Sequence, residues 1–206
     1  MNKKGLSIIL EKLEKNNAPS PKLEQYSIGG EIASDILFKA YIDGNIENKI
    51  IADFGTGNGI FAIGACLLGA KACIGIDIDK KSILIANRNA HLTNTYPSFI
   101  NANIKDICLQ NIDTVFQNPP FGSQRKHADR IFIDKAISSS ATVYSIHNAN
   151  TIKFIENYVN NTNHYISWMQ YYILSIPHMF KFHTKEKEHI KVIAVKIEKK
   201  SGDNNG

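Results

Sequence analysis

Asn118-Pro119-Pro120-Phe121 ends an apolar run and opens a polar loop, and its residue types suit one task. The Asn118 amide oxygen and the Pro119 carbonyl can each accept one N–H of a planar amino group. The Phe121 ring can cover the face of the base or amide that carries it. A short rigid tetrad at a strand end therefore fits methyl transfer to a nitrogen. An X-Pro-Pro turn before an aromatic is also an ordinary way to end a strand, so the tetrad alone leaves that plainer reading open.

A second constellation lies upstream, in Asp53-Phe54-Gly55-Thr56-Gly57-Asn58-Gly59. Glycines between a strand and a helix let the backbone turn tightly and approach a ligand without Cβ contacts. Twenty-two residues beyond Gly55, Asp77 ends the next apolar strand, where a carboxylate can accept from both hydroxyls of a ribose. The tight G-x-G-x-G differs from the dinucleotide fingerprint G-x-G-x-x-G, and a phosphate-binding G-x-x-x-x-G-K-[ST] is absent. S-adenosylmethionine fits better than NAD or ATP, because Asp53 beside the loop has a cationic group to meet. Gly55 and Gly57 would approach it, Asp106 would accept the amine of its adenine, and Ile78 and Ile107 would wall the ring. For Asp106 a helix cap is the bland alternative.

The elements that must position these residues alternate. Helical periodicity covers 1–16 and 31–42, broken by prolines at 19 and 21. Strands are predicted at 49–54, 72–77, 98–101, 114–117 and 141–146, with helices at 58–69, 80–92, 130–138 and 151–160. That alternation means parallel strands joined by right-handed crossovers. Two further apolar stretches, 164–176 and 189–197, have no clear helix between them and predict an antiparallel hairpin on the sheet edge. Length and the absence of a linker predict one domain over 1–200, with a helical N-terminal extension over 1–20 and a disordered tail at 201–206.

Bulk properties bound the function. The 206 residues carry a net charge of +5 and no apolar run long enough to cross a bilayer, so a soluble, cytoplasmic protein is expected. Cys66, Cys73 and Cys108 have no paired spacing, which predicts buried free thiols rather than disulfides or a zinc site. His178, His183 and His189 match no metal spacing, and no metal is expected. Basic residues gather at Arg125, Lys126 and Arg130 beside the tetrad and again from Lys181 to Lys200. Both clusters suit a phosphate-rich partner, the first more strongly because a substrate backbone would pass there. His147 lies either on the substrate side or buried as a structural histidine.

Taken together, the sequence resembles the methyltransferase-like-five family of ribosomal RNA adenine-N6 methyltransferases, within the class I methyltransferases. The resemblance rests on Leu23-Glu24-Gln25-Tyr26, residues 48–79 with their D-F-G-T-G-N-G and G-I-D-I-D, Asp106-Ile107-Cys108-Leu109, the N-P-P-F-G loop, Tyr144-Ser145-Ile146-His147 and Lys181-Phe182-His183. It departs from the family pattern at Ile28, where a threonine is usual, and at Thr56 and Asn58, where cysteines are common. It implies a Rossmann-like seven-stranded sheet of order 3-2-1-4-5-7-6. It also implies cofactor contacts from Gln25, Tyr26, Asp53, Gly55, Asp77, Asp106 and Asn118, and a flipped adenine at Asn118, Pro119, Pro120 and Phe121. The substrate it implies is small-subunit ribosomal RNA, met by Arg125, Lys126, His147 and Lys181, with a small zinc-ribbon activator protein on the third-strand edge. Rival acceptors are guanine N2, a DNA base or a protein glutamine amide. A non-catalytic RNA-binding assembly factor is a rival of another class.

Overall fold

The computed structural model describes residues 1–16, 27–120, 128–177 and 187–200. Its centre is a seven-stranded sheet built from β1 (Ile50–Phe54), β2 (Ala72–Asp77), β3 (Ser98–Asn101), β4 (Thr114–Gln117), β5 (Thr142–Asn148), β6 (His164–Pro177) and β7 (Lys187–Lys199). The order is β3-β2-β1-β4-β5-β7-β6. β1 to β5 pair in parallel, and β7 runs antiparallel to both β5 and β6. The fold is thus the expected Rossmann-like class I architecture.

Helices α1 (Lys3–Glu11), α2 (Gly30–Ile42), α3 (Ile60–Leu67), α4 (Lys80–Leu92), α5 (Ala128–Ser139) and α6 (Ile152–Asn160) connect and cover the strands. Strand alternation divides the core between the two faces of the sheet. Ile51, Phe116 and Tyr144 pack with Leu6, Leu10, Leu37 and Ile63 of α1, α2 and α3. Ala52, Phe54, Val115 and Val143 pack with Ile133 and Ile155 of α5 and α6. On the first face the rings of Phe61, Phe116 and Tyr144 stack, each pair with centroids 5.3 Å apart. The Tyr144 hydroxyl ends that stack by donating to Asp43 Oδ2 at 2.8 Å, and Lys196 Nζ reaches the same oxygen at 3.1 Å.

One helix start and one helix end differ from the sequence expectation for identifiable reasons. α3 begins at Ile60 rather than 58 because Gly59 is left-handed, with φ +86°, and only Ile60 onward can take helical angles. α1 stops at Glu11 rather than running to 16. Residues beyond it are captured by tertiary bonds: Glu14 N donates to Asn89 Oδ1 at 2.8 Å, and Arg88 grips the Glu14 carboxylate with two nitrogens. The thiols also differ, since Cys73 is buried but Cys66 is only partly so and Cys108 is exposed.

α1 and α2 touch backbone to backbone at Gly30. A Cβ there would sit 2.5 Å from Glu11 N and 2.6 Å from Ser7 O, atoms that cannot yield without moving all of α1. Gly30→Ala is therefore expected to destabilise the protein by about 1–3 kcal/mol, the usual size of an overpacking penalty, read as a lower urea midpoint. An unchanged midpoint would show that α1 shifts freely.

Candidate active site

The site forms where β1, β2 and β4 end. β1 is paired to β2 on one side and to β4 on the other, so three exits lie side by side: the glycine loop after Phe54, Ile78 after Asp77, and Asn118 after Gln117. Neighbouring strands are about 4.8 Å apart, which brings these segments within reach of one ligand.

Gly55, Gly57 and Gly59 all have positive φ, at +70°, +55° and +86°. A side chain at Gly57 would project into open space, with only Gly55 O at 3.9 Å, which leaves the room a ligand needs against the bare backbone. The loop is held from behind. Gly55 N and Thr56 N both donate to Ile76 O, and Asp53 Oδ2 accepts from the Thr56 hydroxyl at 2.7 Å and from Ala62 N at 3.1 Å. Phe99 of β3 lies against Gly59 and Gly75, where a Cβ would meet its ring at 2.9 and 2.5 Å.

Two acids converge on this loop. Asp53 is 1% exposed, and burial pushes its carboxyl up to about 7, against the opposing bonds from Thr56 and Ala62. Asp77 is also raised, chiefly by burial, while its Oδ2 accepts from Gly57 N at 2.9 Å and its Oδ1 from Asp79 N at 2.8 Å. Each oxygen keeps a second lone pair for a hydroxyl donor. The bare loop, its open side and these acids fit a cationic nucleoside ligand.

The remaining expected residues fall as follows. Asn118 is half-buried and Pro119 buried at the exit of β4, and Pro120 is half-buried. Ile78 is 56% exposed directly after β2, while Asp106 ends a short 3-10 turn on the surface and is followed by half-buried Ile107. His147 resolves in favour of its structural reading: its ring is 2% exposed, inside the sheet rather than on a surface that RNA could touch. Gln25, Tyr26, Phe121, Arg125, Lys126 and Lys181 lie outside the described residues.

Sequence reasoning missed several supports. Asn89, fully buried on α4, donates to Glu14 O at 3.0 Å and to Asn58 O at 2.9 Å, fastening the N-terminal segment to the glycine loop. Asn58 Nδ2 adds a bond to Glu14 O. Asn101 Nδ2 donates to the carbonyls of Asp77 and Ile78, fixing the exit of β2. An asparagine in mid-helix is the signal that could have flagged Asn89, since the residue gains little there unless its side chain is used.

A sheet of this order with a glycine loop and a buried acid at its carboxyl edge defines a class I methyltransferase, and its methyl donor is S-adenosylmethionine. A family profile described as ribosomal protein L11 methyltransferase (PrmA) matches residues 38–119. Full-length relatives are more particular. The chain is 31% identical to the rRNA N(6)-adenosine-methyltransferase METTL5 of Danio rerio, over 93% of this chain and 96% of that protein. It is 40% identical to an uncharacterized protein of Methanocaldococcus jannaschii over 97% and 95% of the two chains. Among solved structures, PH1948 of Pyrococcus horikoshii, described as a candidate RNA methyltransferase, superposes with a TM-score of 0.90 at 37% identity, covering 98% of this chain and 99% of that one. The chain belongs to the METTL5 family.

Proposed function

We propose that the protein methylates the exocyclic N6 amine of an adenosine in small-subunit ribosomal RNA. One observation carries this reading: Phe54 and Gln117 are register partners, so the donor loop and Asn118-Pro119 leave neighbouring strands together. The relatives support the acceptor, since the Danio rerio and Drosophila melanogaster proteins are rRNA N6-adenosine methyltransferases.

Bound S-adenosylmethionine supplies an electrophilic methyl group on a sulfonium. The chain's own residues do the rest. Asp77 would hold the ribose, Asp53 would face the ammonium and Asp106 would accept the adenine amine between Ile78 and Ile107, and the family resemblance adds Gln25 and Tyr26 to the cofactor set. Asn118 Oδ1 and the Pro119 carbonyl would each accept a hydrogen bond from one N–H of the target amine, which favours the pyramidal nitrogen of the transition state. The nitrogen lone pair displaces the thioether from the methyl group, and the surplus proton then passes to water. Alignment of donor and acceptor contributes several kcal/mol more, and no strong base is needed. Extruding the base from structured RNA costs a few kcal/mol, offset by stacking on Phe121 and phosphate contacts from Arg125, Lys126 and Lys181.

The hairpin extends this RNA path. Asn148 pairs with Val192, so residues 187–191 and their partners 173–177 project beyond β5 on the side where β4 hands over to Asn118. There Lys191 Nζ sits 5.0 Å from the Tyr171 ring centre, beside Ile173, which is 69% exposed. At the opposite edge, β3 exposes Ser98, Ile100 and Asn101 and carries no charge, which suits strand addition by a small zinc-ribbon activator.

A protein glutamine amide is the second reading, favoured by 31% identity over 88 residues, 43% of this chain, to a Methanocaldococcus jannaschii protein described as a candidate protein N5-glutamine methyltransferase. Incubation with labelled S-adenosylmethionine and ribosomes lacking the modification separates the two. Label lost on RNase treatment, and recovered as N6-methyladenosine by mass spectrometry of nucleosides, is the expected result. Label that survives RNase and follows protein would overturn it.

A further inference from the structure

Gln117 is the last residue of β4, adjoins Asn118 and is fully buried. Its side chain points to the face opposite Phe116, where it meets β5. Gln117 Nε2 donates to Ser145 Oγ at 3.0 Å, and Ser145 Oγ lies 2.7 Å from His147 Nε2. Ser145 and His147 are 1% and 2% exposed. Burial holds the His147 ring down to about 4, so at neutral pH it is uncharged. With Ser145 Oγ accepting from Gln117, the tautomer that leaves Nε2 bare accepts the hydrogen bond from the Ser145 hydroxyl. Donors then run in one direction, from Gln117 through Ser145 to His147.

The cost of this arrangement falls on Gln117. Its Oε1 is buried and meets no hydrogen-bond donor among the described residues. Turning the amide over would leave its NH2 unpaired instead, so neither orientation satisfies the group. A buried unpaired polar atom is rare because it forfeits its hydration without return, and a leucine of similar size would remove the penalty. Fold stability alone does not account for glutamine here. Its place does, because the next residue carries the amide that the transfer uses.

We propose that Gln117, fixed through Ser145 to His147, is a positioning residue that sets how the chain leaves β4, so that Asn118 Oδ1 and the Pro119 carbonyl meet the target amine together. This rests on the amino-clamp reading above.

The test is Gln117→Leu beside Asn118→Ala and wild type, in single-turnover methylation of ribosomal RNA, with melting temperature and S-adenosylmethionine affinity measured on each. Gln117→Leu is expected to melt at or above wild type and bind cofactor equally well, yet transfer the methyl at least about tenfold more slowly, as misplacement of reacting groups does. Ser145→Ala is expected to slow transfer as well, and the double variant to be no slower than Gln117→Leu alone, since both cut one chain. Full activity in Gln117→Leu, or loss of activity matched by loss of stability, overturns the inference. Retained transfer in Asn118→Ala would sink the clamp reading itself, whereas an inactive Asn118→Ala beside a fully active Gln117→Leu would sink this inference alone.

Discussion

Asn118→Ala is expected to lower methyl transfer at least about a hundredfold while leaving S-adenosylmethionine binding nearly intact, the scale seen when one preorganised polar group at a reacting centre is removed. The target nitrogen is a poor nucleophile because its lone pair is delocalised into the ring, so the barrier is lowered by whatever favours the pyramidal form. Two acceptors do this, and one is a side chain. Removing it leaves the Pro119 carbonyl accepting from one N–H, with the amine free to rotate out of line. Cofactor contacts should survive, because the glycine loop and Asp77 are braced from β2, α3 and α4 rather than from β4. Single-turnover rates against calorimetric cofactor affinity give the split. A variant that loses both together would place Asn118 in the donor pocket instead.

Asp53→Asn is expected to flatten two pH profiles at once. The carboxyl titrates near 7 when folded against an ordinary value of 3.8, because burial penalises its charge. A folded value above the unfolded one means stability that is present below about pH 4 and lost progressively as pH rises to about 7. The contribution is on the order of 4 kcal/mol in total. The ligand-free protein should thus lose stability over that window, and the asparagine variant should lose correspondingly less. Binding runs the other way. An ammonium beside Asp53 favours the carboxylate, so binding expels a proton and affinity should rise about tenfold per pH unit up to about 7, then level. Calorimetry in buffers of different ionisation enthalpy would count that proton. An asparagine variant with the wild-type slope would remove Asp53 from the cofactor's charged end.

What the sequence disclosed follows from how local each feature is. The glycine loop was legible because positive φ at Gly55, Gly57 and Gly59 demands one residue type at fixed spacing. Asp77 and the tetrad were legible because each sits where a strand must end. Strand alternation showed the parallel half of the sheet, and the ends of β2, β3 and β4 fell where expected. The insertion of β7 between β5 and β6 came only from family likeness, since nothing in an apolar run says which neighbour it will join. The early end of α1 and the burial of His147 were hidden for another reason. Both are fixed by partners far along the chain, Asn89 for Glu14 and, for His147, its register partner Ile193 on β7.

Asn89 has a practical consequence. A single buried amide closes a loop between the first sixteen residues and the glycine turn, and α1 places Leu6 and Leu10 wholly inside the core. A tag fused ahead of exposed Met1 should leave the molecule's working parts alone. Trimming α1 as though it were an appendage would take Leu6 and Leu10 out of the core and slacken the segment that Asn89 ties to the glycine loop.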